Sequence, residues 1–292
     1  MAKDTSIIFN FFKSDCTSEF CRHFSIAEKD LTATLDKYQS AHDISDIINE
    51  LEINLETPID NVKVTWHHLT TTIDGEITSF HQHGFLPLRD MLTKDTVLHH
   101  FLSNHHIYFD LTQHRMIFDN HQIKLCAAKD YLMANELERA IDDLYTRIYE
   151  HDGEIEGFLR TSNILSYSCI CHCPEILMRI DNILNSISYA NQRDSLQSDW
   201  ANEPSHSMHL LKVITPLSHT RLDEEGFLED IQSKNQSKHL SQNYLPNLHL
   251  LSMFLFRWYT DEKAIACIID LNYRIPSEAI TELPLPLDCN PM

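Results

Sequence analysis

The stretch from Val62 to Leu92, VKVTWHHLTTTIDGEITSFHQHGFLPLRDML, constrains this chain more than any other. Val62, Val64 and Trp66 alternate with Lys63 and Thr65, the two-residue period of a strand with one face buried. The pattern predicts a strand that runs into His67, His68, Leu69 and Thr70 and ends there on a polar cluster. Asp74 and Gly75 supply a turn, and Ile77, Phe80, Gly84, Phe85, Leu86 and Leu88 predict a short helix closed by a C-terminal glycine. An apolar strand therefore hands histidine and threonine side chains to a helix, and the remaining segments have to cover both.

Before this stretch, Ser6 to Phe12 reads as a short strand, and Ile26 to Gln39 and Ile44 to Leu55 read as helices. The second has Ile44, Ile47, Ile48, Leu51 and Leu55 on one face behind Asp43 as N-cap. Pro58 closes this part, which predicts a helical N-terminal preface over residues 1–60 and an α+β main domain over 61–292. In the main domain, Val97 to Leu102 reads as a helix, Ile107 to Leu111 as a strand, and Arg115 to Phe118 with Gln122 to Cys126 as a hairpin turning at Asp119 and Asn120. Leu137, Ile141, Leu144, Tyr145 and Ile148 repeat at helical spacing, Ile155 to Leu159 and Ile164 to His172 have strand composition, and Pro174 opens a helix over Ile176 to Leu184. Met208 to Ile214 predicts a further strand, Pro216 to Pro246 a long polar loop or lid with at most one short helix, Leu248 to Trp258 a helix and Ala264 to Leu271 a buried strand.

Charge and composition narrow the function. A net charge of −20 argues against a surface built to hold nucleic acid or an anionic membrane, since both need a dominant basic patch. No apolar run approaches the roughly 20 residues of a membrane-spanning helix. The start, MAKDTSIIFNFFK, lacks the basic-then-apolar plan of a signal peptide, so a cytoplasmic location is expected. The five glycines are too scattered for a phosphate-cradling loop, which argues against a P-loop ATPase or a Rossmann dehydrogenase. Eight cysteines without secretory features predict reduced thiols. Cys169, Cys171 and Cys173 are spaced for one face of a strand, which splays thiolates apart instead of wrapping a zinc ion, and no metal is expected there or at Cys16, Cys21 and His23.

The strand ending His68-Leu69-Thr70, the spacer, Ile77 to Phe80 and then Gly84-Phe85-Leu86 resemble the opening of the ADP-ribosyltransferase fold in DNA-targeting ADP-ribosyltransferase toxins and RNA 2′-phosphotransferases. Ile275-Pro276 with Ile280 to Leu283 is similar to the closing segment of such domains. The resemblance implies a mixed central sheet of that type, NAD as cofactor, and transfer of ADP-ribose to a macromolecular acceptor, protein or nucleic acid, as by a toxin or antiphage effector. Cleaving the nicotinamide glycosidic bond develops positive charge on the ribose, which a carboxylate stabilises. His68 with His67 and Thr70 would then hydrogen-bond the ribose and carboxamide, Tyr108 or Tyr167 would stack on nicotinamide, and Glu175 or Glu262, with Glu278 as a further choice, would supply the carboxylate.

Each assignment has a plainer reading. His67 or His68 can be a strand-end histidine satisfied by backbone groups. The tyrosines can be core or rim aromatics, Glu175 after Pro174 can complement the positive end of a helix, and Glu262 after Asp261 can be a solvated turn. Two functions from different classes therefore stand: the NAD-dependent transferase, and a non-catalytic acidic protein that binds a basic partner. An acidic enzyme restrained by a basic antitoxin would satisfy both the charge and the strand pattern.

Overall fold

Extended backbone does not stop at Thr70. In a computed structural model of the chain, described over residues 6–12, 16–38, 40–74, 77–151, 154–161, 172–187, 194–222, 241–259, 264–269 and 273–285, strand β2 spans Val62–Thr72. The β-branched run Thr70-Thr71-Thr72 favours extended backbone. His67 and His68 therefore lie inside the strand, not at its end. The chain is α+β with a large, mainly antiparallel sheet. It divides into two compact units: Met1–His68, Ile155–Ile164 and Lys212–Tyr273 form the first, and Leu69–Glu154, Leu165–Leu211 and Arg274–Met292 the second.

In the first unit, β1 (Ile7–Asn10) pairs in parallel with the start of β2, Phe9 opposite Val64. β6 (Ile155–Thr161) runs antiparallel to β2 with Phe158 opposite His67, β9 (Ala264–Ile269) pairs with β6, and β8 (Thr220–Leu222) pairs with β9. The sequence pattern predicted loop where β8 lies, because three residues are too few to show a period. A Cβ on Gly157 would stand 2.1 Å from Cε3 of Trp66, so the indole rests on bare backbone. Trp66 Nε1 donates to Thr215 Oγ1 at 3.0 Å, in the part of β7 (Ser207–Pro216) that belongs to this unit.

Helices α1 (Thr17–Phe24), α2 (Glu28–Lys37), α3 (Ile44–Glu50) and α10 (Tyr244–Tyr259) complete the first unit. Helix α10 is buried nearly all round, from Asn247 and Leu248 to Phe256, as expected for a helix apolar on every side. It begins before Pro246, which was expected to close the loop. A proline in the first helical turn loses no intrahelical hydrogen bond. The Phe254 ring stacks on Phe20 with centroids 4.1 Å apart. Asn247, fully buried, donates Nδ2–H to the Leu55 and Thr57 carbonyls at 2.9 and 2.8 Å and meets His23 Nε2 through Oδ1 at 2.7 Å.

The second unit contains α4 (Thr78–His83), α5 (Leu88–Thr93), α6 (Val97–Asn104), α7 (Glu136–Tyr149), α8 (Glu175–Asn185) and α9 (Leu196–Ala201). A separate antiparallel sheet, β3 (Ile107–Asp110), β4 (Arg115–Phe118) and β5 (His121–Lys124), contains the predicted hairpin. Its turn residues Asp119 and Asn120 have φ of 46° and 68°, the positive values a two-residue hairpin needs. Helix α7 starts in a capping box: Asn135 Oδ1 accepts from Glu138 N while Asn135 N donates to Glu138 Oε2. Its Leu144 and Ile148 join Leu177, Ile180 and Leu184 of α8 in a common apolar core. Residues 69–72 of β2, 207–211 of β7 and β10 (Ile280–Leu283) lie side by side in the order β10-β7-β2.

Gly84 closes α4 with φ 69° and ψ −155°, a region essentially reserved for glycine. A Cβ there would stand 1.9 Å from the carbonyl oxygen of Ile275, to which Phe85 N donates at 3.2 Å. The two segments that carry the family resemblance are thus neighbours in the second unit. Among the described residues no helix is long and apolar enough to cross a membrane.

Candidate active site

Three adjacent strands of the second unit put polar side chains in one row. Ser207 and His209, two residues apart on β7, share a face of the sheet. Thr72 reaches them from β2 and Glu282 from β10. His209 Nδ1 lies 2.7 Å from Glu282 Oε1, and its Nε2 lies 2.8 Å from Ser207 Oγ and 3.1 Å from Thr72 Oγ1. The two hydroxyl oxygens are 3.1 Å apart. His209 and Thr72 are buried, Ser207 is half-buried, and the Glu282 side chain is 46% exposed.

In the neutral ring the carboxylate sets the tautomer. An ionised carboxylate only accepts, so Nδ1 carries the proton shared with Glu282, and Nε2 presents its lone pair to the hydroxyls. Ser207, the nearer, donates to Nε2. Proton transfer from Ser207 to Nε2 would leave an imidazolium beside a carboxylate, which stabilises it. A hydroxyl, a base within hydrogen-bond reach and a third group orienting the base are the parts of an activated nucleophile. Beside the row, His206 Nε2 meets the His172 carbonyl oxygen at 3.0 Å, and burial holds the His206 pKa below its usual value.

The residues expected from sequence are distributed differently. His68, half-buried on β2, donates Nδ1–H to the Glu156 carbonyl at 2.9 Å, so its Nε2 is an acceptor in the neutral ring, and burial pushes its pKa down. His67 is buried against Phe12, with ring centroids 3.9 Å apart. Burial first and the Lys212 charge second bring its pKa to about 4, against a smaller upward pull from a hydrogen bond with the Phe158 backbone. Its Nδ1 has no protein partner among the described residues. Thr70 is half-buried further along β2, in the second unit.

Tyr108 is an exposed residue of β3 whose hydroxyl donates to the Ser103 carbonyl at 3.4 Å. Glu175 is the first residue of α8 and accepts from Arg179 Nε and Nη2 at 3.0 and 2.5 Å, an ion pair one helical turn long. Glu278 is exposed in the short 3₁₀ turn Ser277–Ala279. Tyr167, Glu262, Cys169 and Cys171 lie outside the described residues. Among the described residues no three His, Cys, Asp or Glu side chains are grouped to hold a metal ion.

Sequence reasoning placed the reactive end of β2 at His68 and Thr70 and passed over Thr72, Ser207, His209 and Glu282. The local signal for the row was Ser207-Met208-His209, a hydroxyl and an imidazole at strand spacing. Compared with known proteins, the chain matches no family model, no curated protein and no solved structure at a significant level.

Proposed function

We propose that the chain is an enzyme that uses Ser207 as a nucleophile in acyl transfer or ester hydrolysis, with His209 as general base and Glu282 orienting it. The observation that carries this reading is the linked set of contacts Ser207 Oγ to His209 Nε2 and His209 Nδ1 to Glu282, all within one unit. In the first step Ser207 Oγ bonds to the acyl carbon, its proton passes to His209 Nε2, and the leaving alcohol or amine departs with the electron pair and takes that proton. Water, deprotonated by the same imidazole, then releases the acid and restores Ser207. Thr72 holds the Ser207 oxygen on the side away from the carboxylate.

A fluorophosphonate ester tests it directly. Attack forms a Ser207 O–P bond and expels fluoride, which intact mass and peptide mapping read without knowledge of the substrate. The adduct is expected on Ser207, absent in Ser207→Ala, and formed about 10⁴- to 10⁶-fold more slowly in His209→Gln, the scale of loss when a triad member is removed. No adduct on the folded chain, or one that forms as fast in His209→Gln, would sink the reading.

A second reading is favoured by the closure of Gly84 on Ile275. The two segments that resemble the ADP-ribosyltransferase fold are neighbours, and each continues into a member of the row, Thr72 and Glu282. On this reading the chain is an NAD-dependent ADP-ribosyltransferase-like effector or toxin with a mixed sheet of that type. Glu282, half-exposed, takes the place of Glu175 as the carboxylate facing the ribose, and Thr70 of the same unit contacts the nucleotide. Labelled NAD separates the two: nicotinamide release that stops in Glu282→Gln supports the transferase, whereas phosphonylation of Ser207 without any NAD turnover supports the hydrolase.

A further inference from the structure

Between β5 and α7 the chain exposes three consecutive large side chains, Tyr131, Leu132 and Met133, with Leu132 87% and Met133 82% open to solvent. Leaving a Leu or Met side chain in water forgoes the stabilisation that burial brings, and a loop has no folding reason to carry two at its tip. Nor is this turn slack. Asp130 Oδ1 accepts from Leu132 N and Met133 N at 3.1 and 3.4 Å, Tyr131 donates its hydroxyl to Asp143 Oδ1 at 3.2 Å, and Ala128 N donates to Asp142 Oδ1 at 2.6 Å. With the Asn135 cap at its far end, the turn is tied to α7 on both shoulders. A preformed apolar projection loses little conformational freedom on binding.

Its surroundings are acidic. Asp130, Glu136, Glu138, Asp142 and Asp143 stand in the same segment against Lys129 and Arg139. We infer that Tyr131–Met133 is a docking knob for a basic protein partner, which takes Leu132 and Met133 into an apolar recess and sets Lys or Arg on the rim against the α7 carboxylates. Charge selects this occupant over the others. A second copy of the chain brings the same net charge of −20, and an anionic bilayer repels the acidic shoulder as well. Apolar contact at the centre with complementary charge around it is how specific interfaces divide affinity and steering. The inference uses no residue of the Ser207 row and stands whichever chemistry that row performs.

The probe is an amphipathic helical peptide of lysine and leucine, with a glutamine–leucine analogue and a scrambled lysine–leucine isomer as controls, titrated into the full-length chain. The comparison protein is Leu132→Ser/Met133→Ser, whose unfolding midpoint should match the parent because both side chains are exposed. Expected is saturable binding of the amphipathic basic peptide, weakened about tenfold or more by the double substitution and again by raising salt from low to physiological levels. Equal binding to parent and variant, equal binding of the glutamine analogue, or no binding would each overturn the inference. So would self-association, or co-sedimentation with anionic vesicles, that disappears in the double variant, since either assigns the knob to a different occupant.

Discussion

Replacing Gly84 by alanine should be among the most damaging single-methyl additions available in this chain. At φ 69°, ψ −155° a non-glycine residue is strained by about 1–3 kcal/mol. The new Cβ would lie 1.9 Å from the Ile275 carbonyl oxygen, a backbone atom that cannot rotate away as a side chain would. Either α4 or the segment at Ile275 must retreat. That stretches the Phe85 N to Ile275 O bond, worth about 1 kcal/mol, and uncovers Ile275 and Phe85, both buried. The expected loss is about 3–5 kcal/mol, a large part of the roughly 5–15 kcal/mol that holds a domain together. Urea unfolding followed by far-UV circular dichroism measures it, with Glu203→Ala, an exposed site, as a control expected to move stability by less than about 0.5 kcal/mol. Because Ile275 leads through Ile280 to Glu282, phosphonylation of Ser207 should slow as well. A loss below about 1 kcal/mol with unchanged labelling would show that the two segments do not bear on one another as described.

Two further expectations follow from buried titratable groups. His67 stays neutral in the fold down to about pH 4, whereas in the unfolded chain it takes up a proton near its ordinary value of 6.5. Its contribution is therefore complete above pH 6.5 and is lost as pH falls from there toward 4. The loss reaches about 2 kcal/mol at pH 5 and about 3 kcal/mol at pH 4. Comparing urea midpoints at pH 5 and 7.5 for the parent and His67→Gln isolates this from His249, which is shifted the same way, and parallel profiles would refute it. Asp181, buried on α8, accepts from Ser195 Oγ and from Leu196 N and Gln197 N at the start of α9, so Asp181→Ala should cost about 2–4 kcal/mol by leaving two amide groups unpaired. Protection of those amides from hydrogen exchange should fall together, and independent behaviour would argue against a shared cap.

What the sequence disclosed was whatever repeats locally. The alternation through Trp66 located β2, the spacing from Leu137 to Ile148 located α7, and Asp119-Asn120 marked the hairpin. Strand β8, three residues long, and the early start of α10 ahead of Pro246 carried no such period. Strand periodicity identified β2 but misplaced its end, since threonine is equally at home in a strand and in a polar terminus. The row of Ser207, His209, Glu282 and Thr72 is a different case. His209 is 73 residues from Glu282 and 137 from Thr72, and only strand order makes them neighbours. No single segment contains the whole row, whereas the histidine pair at 67 and 68 is conspicuous in sequence, yet one of its rings is bonded to a backbone carbonyl and the other is buried beside Phe12.

The Asn247 amide joins α10 to the carbonyls of Leu55 and Thr57 and to His23, bonds that span 190, 192 and 224 positions of sequence. During synthesis the first unit therefore cannot finish when its first segment emerges. Phe20, fully buried against Phe254 at the end, has to wait for a helix made more than two hundred residues later, at about 5–20 residues per second. For those ten seconds or more, the nascent chain trails an apolar surface with no native cover. Truncation before Tyr244 would make that exposure permanent. Shortened products should be captured by chaperones or degraded, and the first unit can reach its fold only after α10 and β9 have left the ribosome.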